Sequence, residues 1–381
     1  MKRILTLLAA LTVSITALTA ATPIEKLPRQ IYSGEWKAGH IQGIAMDTER
    51  KHIYYSFTTM LVKADLEGNI IGTVTGLLGH LGCIEYNEAD GRIYGSLEYK
   101  NDSIGKGILK QENTSKEWTT AFYVAIFDVD KIVRQNMSAE KDGIMTSVYL
   151  KTVCDDFAAK VVNNGTTLEH RYGCSGFDGI TFGPKFGTAD SKRYLTIAYG
   201  IYGDKNRTDN DYQVLLQYDT KNWHKYEQPL SQENMHQSGP SKPAARYFVH
   251  TGNTNWGVQN FEYDPTRNFW FLATYEHKKS EFADFSLFVV DGHIAPKKET
   301  LKGVSYAKKQ KVLTLCGRGM TDRNHTDIRG WKFDRASTGI HAVGDNYFYI
   351  SHRKRNKPFQ SCTATLYRFV GRESTPFVKV E

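Results

Sequence analysis

Short apolar strands, joined through Asp- or Asn-rich turns to aromatic and β-branched strands, form the main pattern along the chain. In the clearest copy, an apolar segment at 43–47 leads through the polar turn 48–51 into the strand HIYYSF at 52–57. Two further strand-like segments follow at 60–65 and 70–74. Strands alternating with tight turns are typical of an antiparallel meander, so we predict a four-stranded antiparallel sheet over this segment.

The same unit recurs along the rest of the chain, which indicates a repeat architecture. In the second copy, predicted outer strands at 122–128 and 146–150 are accompanied by insertions at 100–120 and 154–172. The four later copies each pair an apolar first strand with an aromatic second strand: 82–87 with 92–97, 179–182 with 194–199, 260–265 with 269–275, and 339–343 with 347–352.

Five copies of one unit predict an all-β fold, a five-bladed β-propeller with four-stranded antiparallel blades. A β-sandwich is the alternative, but its Greek-key strands do not recur as such pairs over so wide a spacing. We expect a strand near residues 31–33 to join the final blade and close the ring. Helix signals are weak, and the best of them covers residues 128–134.

The N-terminus carries an export pattern, in which two basic residues precede an apolar run at 4–18 and small residues follow at 19–21. This pattern predicts a signal peptide over residues 1–21 and a single mature domain over 22–381. The apolar run is too short to span a bilayer comfortably, and charged residues interrupt every later stretch. We therefore expect export to the periplasm or the extracellular space, without membrane insertion.

The charge of the chain is modestly basic. The formal net charge is +8, and removal of the signal peptide with Lys2 and Arg3 leaves +6. Such a bias can steer an anionic glycan toward the protein, although ordinary solubilising surface charge explains it as well. The lysines are spread along the chain, so nucleic-acid binding is not expected. We expect a monomer whose partner is an oligo- or polysaccharide, neutral or anionic.

The five cysteines are an odd number and have no CxxC spacing, which argues against a zinc site or a thioredoxin-like motif. In an oxidising compartment we expect one or two disulfides, and Cys154 with Cys174 would close the shortest loop. At least one thiol should stay free and buried.

Polar residues are expected to converge on one end of the central channel. In a propeller, the first strand of each blade lines the channel and the second returns beside it, so the start of one and the end of the other share a face. The candidate catalytic residues at this face are His40, His80, Glu98, Asp178 and Glu276. The candidate substrate-binding residues are Gln42, Lys100, Tyr199, Trp256, Gln259, His277, His341, His352 and Arg353. The opposite strand ends hold ordinary turn residues in this interpretation.

Two catalytic chemistries fit this set. The acidic residues include the paired carboxylates that a glycoside hydrolase needs as acid and base. In a polysaccharide lyase, His40 or His80 would instead abstract a proton next to a uronate carboxylate, while a basic residue neutralises that carboxylate. The candidates for that basic residue are Lys100, Lys278 and Arg353.

No cofactor is required by the sequence, but a divalent cation such as calcium is a candidate ligand at the channel mouth. His40, His80 and a carboxylate, or oxygen ligands alone, would hold it. The same residues also have purely structural interpretations, because channel histidines often hydrogen-bond the backbone. Glu98 and Glu276 could likewise pair with neighbouring lysines.

The strand signature at 43–47 with 52–57 resembles that of secreted bacterial β-propeller proteins. Several such families are glycoside hydrolases or polysaccharide lyases that use carboxylates or histidines at the channel mouth, and others are lectins. The resemblance concerns the fold, and no catalytic motif maps residue by residue. It implies a carbohydrate-active propeller. The alternative is a non-catalytic propeller that binds a glycan or a partner protein through insertions at 100–120 and 301–331.

Overall fold

The computed structural model describes residues 21–188 and 192–381 and is a five-bladed β-propeller. The predicted signal peptide, residues 1–21, lies outside the described residues except for Ala21. Within the described ranges, no helix has the length and apolar character needed to cross a membrane. The predicted all-β, five-bladed fold is confirmed.

Blades 1 and 2 each have four antiparallel strands, and a short strand from a later part of the chain extends the outer edge. The strands of blade 1 are Ile41–Met46, His52–Phe57, Met60–Asp65 and Ile70–Thr75, with Met137–Ser138 at the edge. The strands of blade 2 are His80–Asn87, Arg92–Tyr99, Ala121–Phe127 and Met145–Tyr149, with Gln228–Pro229 at the edge.

Blades 3 and 4 differ in their outer strands. The strands of blade 3 are Cys174–Gly183, Tyr194–Ile201, Tyr212–Tyr218 and Ala245–His250, extended by Gln310–Leu313 and Lys297–Glu299. Blade 4 has only Val258–Asp264, Phe269–Thr274 and Leu287–Asp291. Isolated bridges from Val290 to Leu315 and from Leu287 to Trp331 take the place of a fourth strand. The expectation of four strands in every blade is therefore wrong for blade 4.

Blade 5 closes the ring with a strand from the other end of the chain. Its strands are Ile340–Gly344, Tyr347–Asn356, Phe359–Phe369 and the N-terminal Gln30–Trp36, and Phe377–Lys379 also pairs with the third of these. Ile31 lies opposite Ala364 in the antiparallel register. The Cys362 N–H donates to Ser33 Oγ at 2.8 Å. The predicted closure by residues 31–33 is confirmed.

Five apolar clusters, one between each pair of neighbouring blades, hold the ring together. Successive side chains of a strand point to opposite faces, so one strand serves two clusters. In blade 4, fully buried Trp270 packs toward blade 3, whereas fully buried Phe271 packs toward blade 5. Burial on both faces explains why the second strands are continuous apolar runs rather than alternating ones.

The two α-helices of the described residues, Ser103–Gln111 and Lys151–Ala158, lie in the predicted insertions of blade 2 or beside them. They have 9 and 8 residues, so neither is long enough to give a sustained helical pattern. The predicted helix at 128–134 is a single 3-10 turn, Val129–Lys131. The other short elements are a hairpin of Lys160–Asn163 with Thr166–Glu169, a hairpin of Met320–Thr321 with Arg329–Gly330, and 3-10 turns at Ile24–Lys26, Arg171–Gly173, Trp223–Lys225 and Asp334–Thr338.

All five cysteines are free. Cys174 begins the inner strand of blade 3, and its thiol points back to the Gly176 carbonyl at 3.7 Å. Cys154 lies in the helix Lys151–Ala158. The expectation of one or two disulfides is therefore wrong, and the pair that would close the shortest loop, Cys154 with Cys174, is not formed.

Candidate functional site

The channel mouth is the face at which each inner strand begins and each second strand ends. The hairpin of blade 2 places His80 directly opposite Glu98 in its antiparallel register. Asp178 reaches the same place from the inner strand of blade 3, and Lys100 follows the end of the second strand of blade 2. We call these four residues, His80, Glu98, Lys100 and Asp178, the mouth cluster.

Short polar contacts join the members of the mouth cluster. His80 Nδ1 lies 3.5 Å from Asp178 Oδ1 and 3.9 Å from Glu98 Oε2. Lys100 Nζ lies 2.8 Å from Glu98 Oε2 and donates to the Ser175 carbonyl at 2.8 Å. The Phe177 N–H donates to Glu98 Oε1 at 2.7 Å. Both oxygens of Glu98 are therefore already engaged, and its side chain is only 4% exposed.

The approach of Glu98 to blade 3 depends on Gly176, which has a φ of +125°. A Cβ at this position would overlap Glu98 Oε1 and crowd the Phe122 ring. Glycine is the residue that adopts this backbone conformation without strain. The strand start of blade 3 is thus built to receive the Glu98 carboxylate.

Burial controls the protonation of the mouth cluster. It lowers the pKa of His80 to about 4, so the imidazole is neutral at pH 7. It raises the pKa of Asp178 to about 6, against the opposing effects of Lys100 and the Gln259 amide. Burial also raises the pKa of Glu98, while the Lys100 ammonium acts in the opposite direction.

Donor atoms of His80, Glu98 and Asp178 lie within 4.8 Å of one another, as a metal site would require. However, the Lys100 ammonium contacts Glu98 at ion-pair distance and supplies the positive charge that a metal ion would otherwise supply. A divalent cation would have to displace it against like-charge repulsion. The mouth cluster therefore fits poorly with a calcium ion, which the sequence offered as a candidate ligand at the channel mouth.

His40 and Gln42 form a second polar group at the mouth, on blade 1. His40 Nδ1 donates to the Ile41 carbonyl at 2.9 Å, because a carbonyl can only accept. His40 Nε2 therefore carries the lone pair and accepts from Gln42 Nε2 at 3.2 Å. The same Gln42 amide donates to Thr58 Oγ1 at 3.2 Å.

A cavity of about 450 Å³ opens at the mouth between blades 4 and 5. The residues that line it are Asn255, Tyr275, Glu276, His277, Lys278, Asp334, Arg335, Ser337, Thr338, Ser351, His352 and Arg353. Tyr275 lines this cavity, and burial raises its pKa. The mouth cluster itself lies beside the cavity rather than in its wall.

A second, open groove of about 840 Å³ runs along blade 5. We call it the basic groove, and its lining residues are Gly39, His40, Gln111, Arg353, Arg355, Lys357, Pro358 and Gln360. Arg353 lines both the cavity and the basic groove, so the two adjoin at this side chain. Within the described part of the chain, no side-chain hydrogen bond or ion pair engages the exposed Arg353 guanidinium.

Three of the nine predicted binding residues, His277, His352 and Arg353, line the cavity. Gln259 Nε2 donates to Asp178 Oδ2 at 3.2 Å and to the Trp256 carbonyl at 3.0 Å. His277 Nε2 contacts the Thr251 carbonyl at 2.8 Å, so it donates there. His352 Nδ1 accepts from Arg335 at 2.9 Å. These partners fix the side chains around the cavity.

Glu276 lies in the cavity wall but apart from the mouth cluster. Its side chain is 59% exposed and lies 3.5 Å from Lys332. Glu98 and Glu276 are therefore both paired with a lysine, as the purely structural interpretation proposed.

Two predicted residues lie elsewhere. Tyr199 is fully buried, and its hydroxyl donates to Asp156 Oδ2 at 2.7 Å, because the helix Lys151–Ala158 covers that side of blade 3. His341 lies deeper in the channel, 3.5 Å from Glu262 Oε1. The 3-10 turn Asp334–Thr338 occupies the mouth position of blade 5, so the inner strand begins below it. The expectation that these two residues lie at the mouth is wrong.

Glu85, Glu262 and His341 form a second polar cluster in the channel, which we call the lower cluster. Burial raises the pKa of Glu85 to about 7, and burial together with Glu85 raises that of Glu262. From the sequence, only turn residues were expected at this end of the strands. The repeated pattern Glu-Tyr-Asn/Asp, at 85–87 and 262–264, is the signal that could have revealed it.

The basic residues around Arg353 were also missed. Arg335, Arg355 and Lys357 line the cavity or the basic groove. The run RKRNK at 353–357 carries alternating cations on an exposed strand end, which was a visible signal in the sequence. Tyr275 was assigned to a strand, and its place in the cavity wall was not anticipated.

No protein-family model matches the chain, and no curated protein matches it. Solved structures match at low similarity. The soluble aldose sugar dehydrogenase from Escherichia coli is 10% identical, with 88% of this chain and 98% of that chain covered and a TM-score of 0.36. The PQQ domain of pyranose dehydrogenase from Coprinopsis cinerea is 11% identical, with 84% and 81% covered and a TM-score of 0.39.

The β-propeller domain of Cps50 (Swd1) from Myceliophteria thermophila is 7% identical, with 88% and 99% covered and a TM-score of 0.30. These likenesses concern the arrangement of strands alone. No ligand or activity is transferred from them to this chain.

Proposed function

We propose that this protein is an exported polysaccharide lyase that cleaves an anionic saccharide in the basic groove. One observation carries the proposal: His40 lies in the same groove wall as Arg353, and the remaining charged residues of that wall, Arg355 and Lys357, are cations too. The proposed ligand is therefore an oligo- or polysaccharide that contains uronate residues.

Charge complementarity supports an anionic ligand. Arg353, Arg355 and Lys357 are exposed along the groove, and Arg335 and Lys278 extend the positive charge into the adjoining cavity. Arginine binds a carboxylate through two parallel N–H donors, which suits a uronate carboxyl group. The acids in the cavity wall are engaged elsewhere, since Asp334 accepts from Ser286 and Glu276 pairs with Lys332.

His40 has the properties of a general base. Its Nδ1–H is held by the Ile41 carbonyl, so the lone pair lies on Nε2. That lone pair accepts from Gln42 Nε2 at 3.2 Å, so the substrate C–H has to displace this contact, and the Gln42 amide then keeps its hydrogen bond to Thr58 Oγ1. Burial lowers the pKa of His40, and the nearby Arg353 and Arg355 lower it further. The imidazole is therefore neutral at pH 7 and able to accept a proton.

The proposed step is a β-elimination. Arg353 neutralises the uronate carboxylate, and His40 Nε2 takes the proton from the adjacent C5. The electron pair of the C5–H bond forms the C4=C5 double bond as the C4–O bond to the leaving sugar breaks. The leaving oxygen takes a proton from water, and His40 returns its own proton to solvent.

Hydrolysis is less well supported by the same geometry. Glu98 has both oxygens bound and is almost fully buried, and Asp178 accepts from Gln259. The remaining acid, Glu276, is exposed and paired. A glycoside hydrolase needs two carboxyl groups that flank the glycosidic bond in an accessible cleft.

A binding-only function is the second candidate. The wall of the basic groove consists of basic, amide, glycine and proline residues, and it offers no carboxyl or phenol group to protonate a leaving oxygen. A propeller that holds an anionic glycan or a partner protein without cleaving it would have this composition. In this candidate His40 and Arg353 are ligand-binding residues only.

The remaining predictions belong to this proposal. Export rests on the N-terminal pattern at 1–21, and the mature unit is the domain at 22–381. A monomer is sufficient, because the cavity and the basic groove are lined by one chain.

The test compares purified wild-type protein with His40→Ala and Arg353→Gln on uronate-containing, sulfated neutral and neutral polysaccharides. The control Lys298→Gln removes an exposed cation from the outer edge of blade 3. Products are read as unsaturated-product absorbance and as reducing ends. We expect both signals on uronate substrates, lost by about 10²–10⁴-fold in His40→Ala and retained in the control.

Reducing ends without unsaturated product would show hydrolysis and overturn the lyase proposal. Binding that needs Arg353, with neither signal, would establish the binding-only candidate. Unchanged cleavage in both His40→Ala and Arg353→Gln would move the site away from the basic groove.

A further inference from the structure

The lower cluster joins three blades across the channel. Glu85 lies on the inner strand of blade 2, Glu262 on that of blade 4, and His341 on that of blade 5. One ligand atom from each residue lies within 4.8 Å of the other two. Glu85 and Glu262 are 7% and 4% exposed, so both carboxyl groups have been removed from water.

Among the described residues, no permanent positive charge lies at ion-pair distance in the lower cluster, and Arg193 acts on Glu85 only from beyond that distance. In the described part of the chain, no lysine or arginine forms an ion pair with Glu85 or Glu262, and His341 is the only basic group at that distance. The mouth cluster is the contrasting case, because Lys100 neutralises Glu98 there. Two buried carboxyl groups in contact need either a shared proton or a bound cation.

Neutral hydrogen-bond donors orient the two carboxyl groups. The Tyr86 N–H donates to Glu85 Oε1 at 2.9 Å, and the Thr181 hydroxyl donates to Glu85 Oε2 at 3.1 Å. The Ala342 N–H donates to Glu262 Oε1 at 2.8 Å. Such outer contacts are typical of ligating carboxylates, since each oxygen keeps a second lone pair for a metal.

His341 provides an independent indication of a ligand. Its Nδ1 is fully buried and, among the described residues, has no hydrogen-bond partner. It faces Glu262 Oε1 at 3.5 Å, which is too long for a hydrogen bond. Metal bonds of about 2.0–2.2 Å in tetrahedral geometry place neighbouring ligand atoms about 3.4 Å apart, close to this separation.

We propose that the lower cluster binds one divalent transition-metal ion, Zn²⁺ being the best match, which links blades 2, 4 and 5. An imidazole with two carboxylates suits Zn²⁺, which needs only four ligands and can take water as the fourth. Calcium prefers six to eight oxygen ligands, which three side chains of this kind do not supply. The proposal does not depend on the proposed lyase function.

The test measures Zn²⁺ binding to full-length mature protein that has been stripped with a chelator and dialysed. Titration calorimetry and elemental analysis report affinity and stoichiometry for ZnCl₂, with MnCl₂ and CaCl₂ for comparison. The variant Glu262→Gln removes a ligand, and Glu98→Gln is the matched control in the mouth cluster. We expect one Zn²⁺ per chain in wild type and Glu98→Gln, and at least 100-fold weaker binding in Glu262→Gln.

Cobalt substitution keeps the test independent of variant folding. Co²⁺ bound by one imidazole and two carboxylates in wild-type protein gives visible d–d absorption, which Zn²⁺ should abolish by displacement. The proposal is overturned if the wild type takes up no Zn²⁺, or if Zn²⁺ binding is lost in Glu98→Gln but kept in Glu262→Gln. Tighter binding of Ca²⁺ than of Zn²⁺ would also contradict it.

Discussion

Lys100 Nζ lies 2.8 Å from Glu98 Oε2 in the channel mouth, and both side chains are less than a tenth exposed. At the wall of the neighbouring cavity, Lys332 Nζ lies 3.5 Å from Glu276 Oε1, where both side chains are more than half exposed. The two pairs contain the same residue types. Only the first pair is shielded from water. Breaking the Lys100–Glu98 pair should therefore cost more stability than breaking the Lys332–Glu276 pair.

Replacing Lys100 with methionine should destabilise the fold by about 3–5 kcal/mol, because Glu98 is left as a buried carboxyl group without its counter-charge. The free energy of unfolding, measured by urea denaturation at pH 8, checks this value. The double variant Lys100→Met with Glu98→Gln should recover part of the loss, since the uncompensated charge is then absent.

The matched control for this experiment is Lys332→Met. Its ammonium contacts Glu276 and Asp284 at the surface, and exposed pairs contribute about 1 kcal/mol or less. Similar losses in Lys100→Met and Lys332→Met would contradict the interpretation that burial makes the Glu98 pair costly to break.

Asp178 should make stability fall as the pH rises. Burial raises its pKa to about 6, compared with about 3.9 in an unfolded chain. Between these values the folded state holds a proton that the unfolded state has lost, so this contribution is present at pH 4 and is lost as the pH rises through 6.

The measurement compares wild type with Asp178→Asn, whose amide resembles the neutral carboxyl group. Relative to Asp178→Asn, the wild type should lose up to about 3 kcal/mol of unfolding free energy between pH 4 and pH 8. Groups that titrate alike in both proteins cancel in this difference. A difference that stays constant with pH would show that Asp178 ionises normally in the folded state.

The fold could be predicted because its information is local. Each blade begins with a hairpin whose turn and alternating strands are contiguous in sequence, as at 43–57. The missing strand of blade 4 could not be foreseen, since Leu315 and Trp331 replace it through single bridges from a distant segment. The helices at 103–111 and 151–158 were too short to leave a periodic signal.

The candidate site could be predicted only where position in the blade decides the direction of a side chain. His80 and Glu98 are hairpin partners, so their proximity followed from the turn between them. Tyr199 and His341 were misplaced because other segments, the helix at 151–158 and the turn at 334–338, intervene. The contact of Glu85 with Glu262 joins distant segments, and the repeated pattern Glu-Tyr-Asn/Asp at 85–87 and 262–264 marks the two positions without showing that they meet.

The pKa of His40 should rise when Arg353 is removed. Burial is the largest cause of its lowered pKa, and the positive charges of Arg353 and Arg355 add to it. Arg353→Gln should therefore shift the His40 titration, followed by the NMR signal of its Hε1, to higher pH. Lys357→Gln, which removes a cation farther along the basic groove, should change it less.

For the proposed lyase, the same group sets the pH dependence of activity. The rate constant kcat/KM should rise with pH through the His40 pKa, below the usual value of about 6.5, as the imidazole becomes neutral. Arg353→Gln should move this acid limb to higher pH. If the acid limb of the kcat/KM profile lies at the same pH in Arg353→Gln as in wild type, His40 is not the titrating base.

Gly176 should be irreplaceable in the channel mouth, whereas Gly107 should not. An alanine at 176 meets a φ of +125° and a Cβ that overlaps Glu98 Oε1, so Gly176→Ala should cost at least about 1–3 kcal/mol. Gly107 lies exposed within the helix Ser103–Gln111, and a Cβ there would have no neighbour within 4 Å. Alanine favours a helix interior over glycine, so Gly107→Ala should stabilise the protein by about 0.5–1 kcal/mol. Opposite shifts of the thermal unfolding midpoint would support this account of how blade 3 receives Glu98, and equal shifts in both variants would refute it.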